Sequence, residues 1–125
     1  MSKRDARLYC DDILESGSAI LDFIQQMSFE DFCDDRKTYS AVIREFEIIG
    51  EAVGKLPQSL KERRSDVEWQ DIRDFRNLLI HEYFGVDLEI VWKIIKDDLP
   101  VLIDSIKEFL RTTGVEGLQQ EQCNP

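Results

Sequence analysis

The run YSAVIREFEIIGEAVGKLP, Tyr39–Pro57, decides the class of fold. Its apolar residues Tyr39, Val42, Ile43, Phe46, Ile49, Val53 and Leu56 step by three and four, the period of one face of an α-helix, and Pro57 stops the pattern. Upstream, Ser28 followed by Phe29, Glu30 and Asp31 reads as an N-cap with acids in the first turn, opening a short helical piece that ends near Asp34 and Asp35. Before it, Tyr9, Ile13, Ile20, Ile24 and Met27, with the small Ser16 and Gly17 filling the gap, predict a first helix over Asp5–Met27. Downstream, the stretch between Pro57 and Asp66 has room for one helical turn. Trp69, Ile72, Phe75 and Leu79 then resume the helical period as far as Tyr83, and Gly85 ends it. Asp87 reads as the N-cap of a last stripe, Leu88, Val91, Trp92, Ile95, Leu99, Leu102, Ile106 and Phe109, which runs straight across Pro100. A proline inside a helix removes a hydrogen bond and crowds the preceding turn, so a kink or break is expected there, with Pro100 starting a new helix. No segment alternates with period two. The expectation is an all-α antiparallel bundle of four to five helices over residues 1–112, followed by a polar, aperiodic and disordered tail at 113–125.

At 125 residues the chain is long enough for one core and too short for two. Sixteen Lys and Arg against twenty-six Asp and Glu leave a net charge of −10, which excludes generic coating of nucleic acid and demands a local basic cluster for any contact with it. The three cysteines, Cys10, Cys33 and Cys123, are widely spaced and form no C-x-x-C pair, which argues against a disulfide framework or a zinc knuckle. The opening residues, MSKRDARLY, lack the apolar core of a signal peptide, and no stretch reaches the length of a membrane span. A cytoplasmic protein with reduced thiols is expected. One histidine, His81, is too few for an ordinary transition-metal site, so no metal or cofactor is expected.

The run RDFRNLLIHEY, Arg73–Tyr83, is too polar for a plain core stripe. At 100° per residue Arg73, Asn77 and His81 form an i, i+4, i+8 row, Arg76 and Tyr83 share a neighbouring face two turns apart, and the set spans a sector of about 160°. An arginine fork stays charged and matches phosphate oxygens, so Arg76 suits negative charge growing on phosphorus. Histidine titrates near neutrality and suits proton transfer to or from a ribose hydroxyl or leaving oxygen. Asn77 can orient His81 or bond the phosphate, and Tyr83 can donate to the same anion. Such a group fits RNA cleavage without metal. The same row also reads as a solvated salt-bridge network with a surface histidine.

The run RNLLIHEYFGVDLEIVWKIIKDDLP, Arg76–Pro100, resembles the HepT-like toxin group of the HEPN superfamily, whose hallmark Arg, polar residue, three more, then His-x-Tyr is met by Arg76, Asn77, His81 and Tyr83. The likeness extends to Ser40–Pro57 and to the Trp69-Gln70-Asp71-Ile72 entry, covering most of Arg36–Leu110. It implies a two-fold homodimer with the motifs of both protomers meeting in a cleft, which would place two histidines in one site. It also implies a metal-independent ribonuclease toxin, with Arg76, His81 and Asn77 as catalytic residues. The implied partner is a nucleotidyltransferase antitoxin of the minimal (MNT) type that transfers AMP to Tyr83.

Lys55, Lys61, Arg63 and Arg64, offset only by Glu62, give Lys55–Arg64 a balance of +3 just before the motif. Lys61, Arg63 and Arg64, with Arg73, are candidates for guiding RNA, and a solvated loop is the alternative. One of Glu45, Glu47 and Glu51 could orient Arg76 or His81. Trp69 and Trp92 read as core or dimer anchors. Two rival functions stand beside the ribonuclease: a non-catalytic HEPN scaffold that binds a nucleotidyltransferase or a nucleotide, and the substrate-binding half of a split nucleotidyltransferase.

Overall fold

The computed structural model describes the backbone of residues 3–81 and 87–114, and the side-chain surroundings of residues 6–75 and 87–112. Within them the chain is all-α: α1 Lys3–Phe23, α2 Phe29–Asp34, α3 Arg36–Gly54, α4 Gln58–Glu62, α5 Trp69–His81, α6 Leu88–Lys93 and α7 Leu99–Phe109, with π-helical turns at Ile94–Asp98 and Leu110–Gly114. Of the tail expected over 113–125, Thr113 and Gly114 belong to the second π-helical turn, and the rest, like the helix end expected at Gly85, lies outside the described residues.

Local chemistry sets the boundaries. Ser28 and Asp31 form a reciprocal capping box, each side chain bonding the other's backbone N–H at 3.1 Å. Asp35 caps α3, accepting from the Thr38 N–H at 3.1 Å and the Thr38 hydroxyl at 2.8 Å, and Asp87 caps α6 through the Glu89 N–H at 2.9 Å. The first helix stops at Phe23, short of the expected Met27. Ile24 is still buried, which is why it fits the stripe, but Gln26 adopts a left-handed backbone with φ 65°, turning the chain towards α2.

Tyr9, early in α1, lies under the Lys55 ammonium just past the end of α3, so the two helices run antiparallel. α5 packs on α3, with Phe46 and Phe75 edge to face at 5.2 Å. α7 packs on α1, where a Cβ at Gly17 would lie 3.0 Å from the Ile103 Cδ1, so glycine permits the close approach. The core runs through Ile13, Ile20, Val42, Ile49, Val53, Ile95, Leu99 and Ile106, all nearly inaccessible.

Helix continues from Leu88 to Phe109 without a gap. The strain expected at Pro100 is taken up in the π turn immediately before it, where the Leu99 N–H reaches back five residues to the Ile94 carbonyl. The wider turn relieves the crowding that a proline ring imposes on the carbonyl four residues earlier, and Pro100 stands in the first turn of α7.

Candidate functional site

Helix α5 carries the polar run as far as His81, and its start is held from three directions. The Trp69 indole N–H donates to the backbone carbonyls of Lys61 at 3.1 Å and Arg64 at 3.0 Å, tying the first residue of α5 to the end of α4. Ile72 and Phe75 are buried and fix the helix's rotation against the core. The loop before α5 is fastened to α7 by Arg64, whose guanidinium meets Asp66 through two bonds of 2.9 Å, Asp104 at 3.2 Å and Glu108 at 3.2 Å. The Asp66 hydrogen bonds, first among these contacts, raise the Arg64 pKa.

Arg76, Asn77 and His81 stand in the last two turns of α5. Their side-chain surroundings, and Tyr83 altogether, lie outside the described residues. Register alone relates them: Arg73, Asn77 and His81 are four apart along one helix row.

The structure gives the basic residues of the preceding stretch different surroundings. Arg64 spends its charge on three carboxylates, and its side chain is only 16% exposed. Lys55 pairs with Glu51 at 3.6 Å and covers the Tyr9 ring. Arg63 closes α4, its N–H on the Leu60 carbonyl at 3.2 Å. Lys61 and Arg73 are brought together instead, in an open cavity of about 380 Å³ between α4 and α5 that Gln58, Glu62, Glu68 and Trp69 also line. Burial first, and the neighbouring Arg73 second, lower the Lys61 pKa. On its other side Arg73 lies over Gly54 and walls a smaller cavity of about 230 Å³ with Gly50, Glu51 and Lys55.

Of the acids on α3, Glu51 shares that smaller cavity with α5, whereas Glu45 lines a separate cavity with Asp12, Glu15, Ala19, Arg44 and Ile48 on the α1 side. A second group of acids gathers where α5 begins. The Asp98 carboxyl, at the end of the first π turn, has its pKa raised by burial and then by Asp97, Glu68 and Asp71, with Lys93 partly offsetting them. Sequence periodicity gave no sign of this group, because Asp98 and Asp71 are far apart along the chain.

Among the described residues no three His, Cys, Asp or Glu side chains are placed to hold a metal ion, and no described helix is long and apolar enough to cross a membrane. Trp92 is half-buried against Phe29 and Phe32, with the Lys96 ammonium over its ring at 4.8 Å.

Residues 13–109 match the family model described as "Ribonuclease HepT-like". The chain is similar to a Methanocaldococcus jannaschii protein named "Putative RNase MJ0127", 41% identical over 94% of this chain and 95% of that protein. It is 43% identical to the "Probable ribonuclease HepT" of Thermococcus cleftensis over 80% of this chain and 91% of the relative. It is 41% identical to "Putative RNase TTE0752" of Caldanaerobacter subterraneus subsp. tengcongensis over 84% and 94%. No solved structure matches the chain.

Proposed function

Because the chain belongs to the HepT-like ribonuclease family, we propose that it is a metal-independent endoribonuclease, the toxin of a pair whose antitoxin is an MNT-type nucleotidyltransferase. The observation that carries this reading is the run Arg76-Asn77-x3-His81-x-Tyr83, which begins on a helix anchored at its other end to α4 and α7.

In the proposed reaction the ribose 2′-oxygen attacks the adjacent phosphorus as it loses its proton, and the bond to the 5′-oxygen breaks. His81 supplies the acid or base, accepting the 2′-hydroxyl proton or giving one to the departing oxygen. Arg76 stabilises the extra negative charge on the phosphorane-like transition state. Asn77 positions the imidazole or the phosphate. One histidine performs only one of the two proton transfers at a time, so a two-fold homodimer that joins two motifs supplies a second.

Tyr83 is the proposed acceptor of AMP from the partner. A phosphodiester on its phenol would add negative charge beside Arg76 and fill the space an RNA phosphate needs. The test is cleavage of RNA in EDTA by the wild type, Arg76→Ala and His81→Ala. Cleavage by the wild type alone is expected. Equal activity in all three would overturn the site, and loss of wild-type activity in EDTA would overturn metal independence.

A further inference from the structure

Lys61 and Arg73 line one open cavity, where a single anion could be met by both cations. Among the described residues neither is ion-paired to a carboxylate, in contrast to Arg64 and Lys55. Glu62 and Glu68 also line the cavity, and both are exposed, so solvent screens their charge. Burial first, and then Arg73, lower the Lys61 pKa, which agrees with two cations held near one another.

Position adds the second argument. Arg73 heads the row that continues through Asn77 and His81, so it lies eight residues, or about 12 Å along the helix axis, from the proposed acid or base. A stacked strand advances about 3.4 Å per nucleotide, so that span corresponds to about three to four nucleotides. A group at that distance cannot hold the phosphate being cut. It can hold the same strand further along.

We propose that Lys61 and Arg73 form a phosphate subsite for RNA, gripping the strand about three to four nucleotides from the cleaved bond. This deepens the ribonuclease reading and rests on it. Arginine's fork takes two phosphate oxygens, the ammonium takes another, and the Gln58 amide adds a neutral donor at the cavity wall. The open mouth lets a polymer pass through rather than enclosing a free nucleotide.

The test is equilibrium binding of cleavage-resistant 2′-O-methyl oligonucleotides, from about two to about ten nucleotides so as to bracket the span, to the full chain and to Lys61→Gln, Arg73→Gln and Arg73→Lys. Wild-type affinity should step up once the oligonucleotide exceeds about four nucleotides, and its salt slope should steepen at the same length. Each glutamine variant should flatten the step several-fold and reduce the slope by about 0.7, the share of one single-strand phosphate, while Arg73→Lys retains most of it. Helix content by circular dichroism checks that the variants fold. A wild type without the step, or folded glutamine variants that keep both step and slope, would overturn the subsite. Cleavage of the unmodified oligonucleotide is read separately. Cutting with an unaltered step sinks the subsite and leaves the ribonuclease, whereas a lost step without wild-type cutting sinks the ribonuclease and leaves an RNA-binding site.

Discussion

Arg64 and Arg73 look alike in the sequence, two arginines flanking the start of one helix, and the structure gives them opposite circumstances. Arg64 is enclosed by Asp66, Asp104 and Glu108, so its charge is spent within the protein, whereas Arg73 shares a cavity with another cation. The difference was illegible in the sequence because Asp104 and Glu108 are 40 and 44 residues away from Arg64. Replacing Arg64 with Gln should lower stability by about 1 kcal/mol or less, since its partners are solvent-exposed. Denaturant melts should show the deficit shrinking as salt rises and screens the network. Incubated with a cognate nucleotidyltransferase and ATP, the chain should gain mass in whole AMP units, and Tyr83→Phe should abolish the gain. A shift that survives the substitution would place the acceptor elsewhere. Cys10 is the opposite case of a nucleophile put out of use. Burial, and then Asp11, push its thiol up to about 12, so it should resist thiol reagents until the protein is unfolded.

At the scale of elements, what could be read in advance was whatever one residue and its near neighbours decide. Ser28, Asp35 and Asp87 bond backbone groups two or three residues on, although only Ser28 and Asp87 were foreseen as caps. The long stripe from Leu88 to Phe109 was equally plain, and its members are buried or half-buried. The π turn at Ile94–Asp98 left no mark on that stripe, because an extra residue in one turn changes the backbone bonding without interrupting the run of apolar positions. Gln26 gave no warning of its left-handed backbone either, as glycine or asparagine would have done. The motif itself was legible as a spacing in the sequence, but the clasp that holds the start of α5 includes the long-range contacts of Arg64 with Asp104 and Glu108. Asp98 links distant parts of the chain, because burial and then the charges of Asp97, Glu68 and Asp71 bear on its carboxyl. Its carboxyl is raised in the folded chain, so the folded state holds that proton to higher pH than the unfolded chain does. Ionisation therefore removes stability as pH rises through the window between the two values. Asp98→Asn should melt higher than the wild type at neutral pH, the gap closing as pH falls below the ordinary carboxylate value of about 3.9. A gap that stays constant with pH would mean that packing, not charge, separates the two proteins.

Taken whole, the molecule is acidic at −10, and the excess is uneven: residues 1–35 hold three basic and nine acidic residues, while residues 55–64 hold four basic and one acidic. Within the basic stretch Arg64 is paired with carboxylates, whereas Lys61 shares a cavity with Arg73 of α5. An acidic body disfavours indiscriminate contact with polyanions, so binding should depend on where a strand can reach both cations at once. The single histidine then bears on assembly. If the reaction needs an acid and a base in one cleft, the two proton carriers come from two chains, and activity belongs to the dimer rather than to the subunit. Specific activity should therefore fall as the protein is diluted, in step with the loss of dimer seen by sedimentation or light scattering. Mixing wild-type chains with excess His81→Ala chains should also suppress cleavage more than dilution by an inert protein does, because mixed dimers carry one histidine each. Activity per wild-type chain that is indifferent to both dilution and mixing would place the whole reaction within one subunit, with His81 serving both proton transfers in turn.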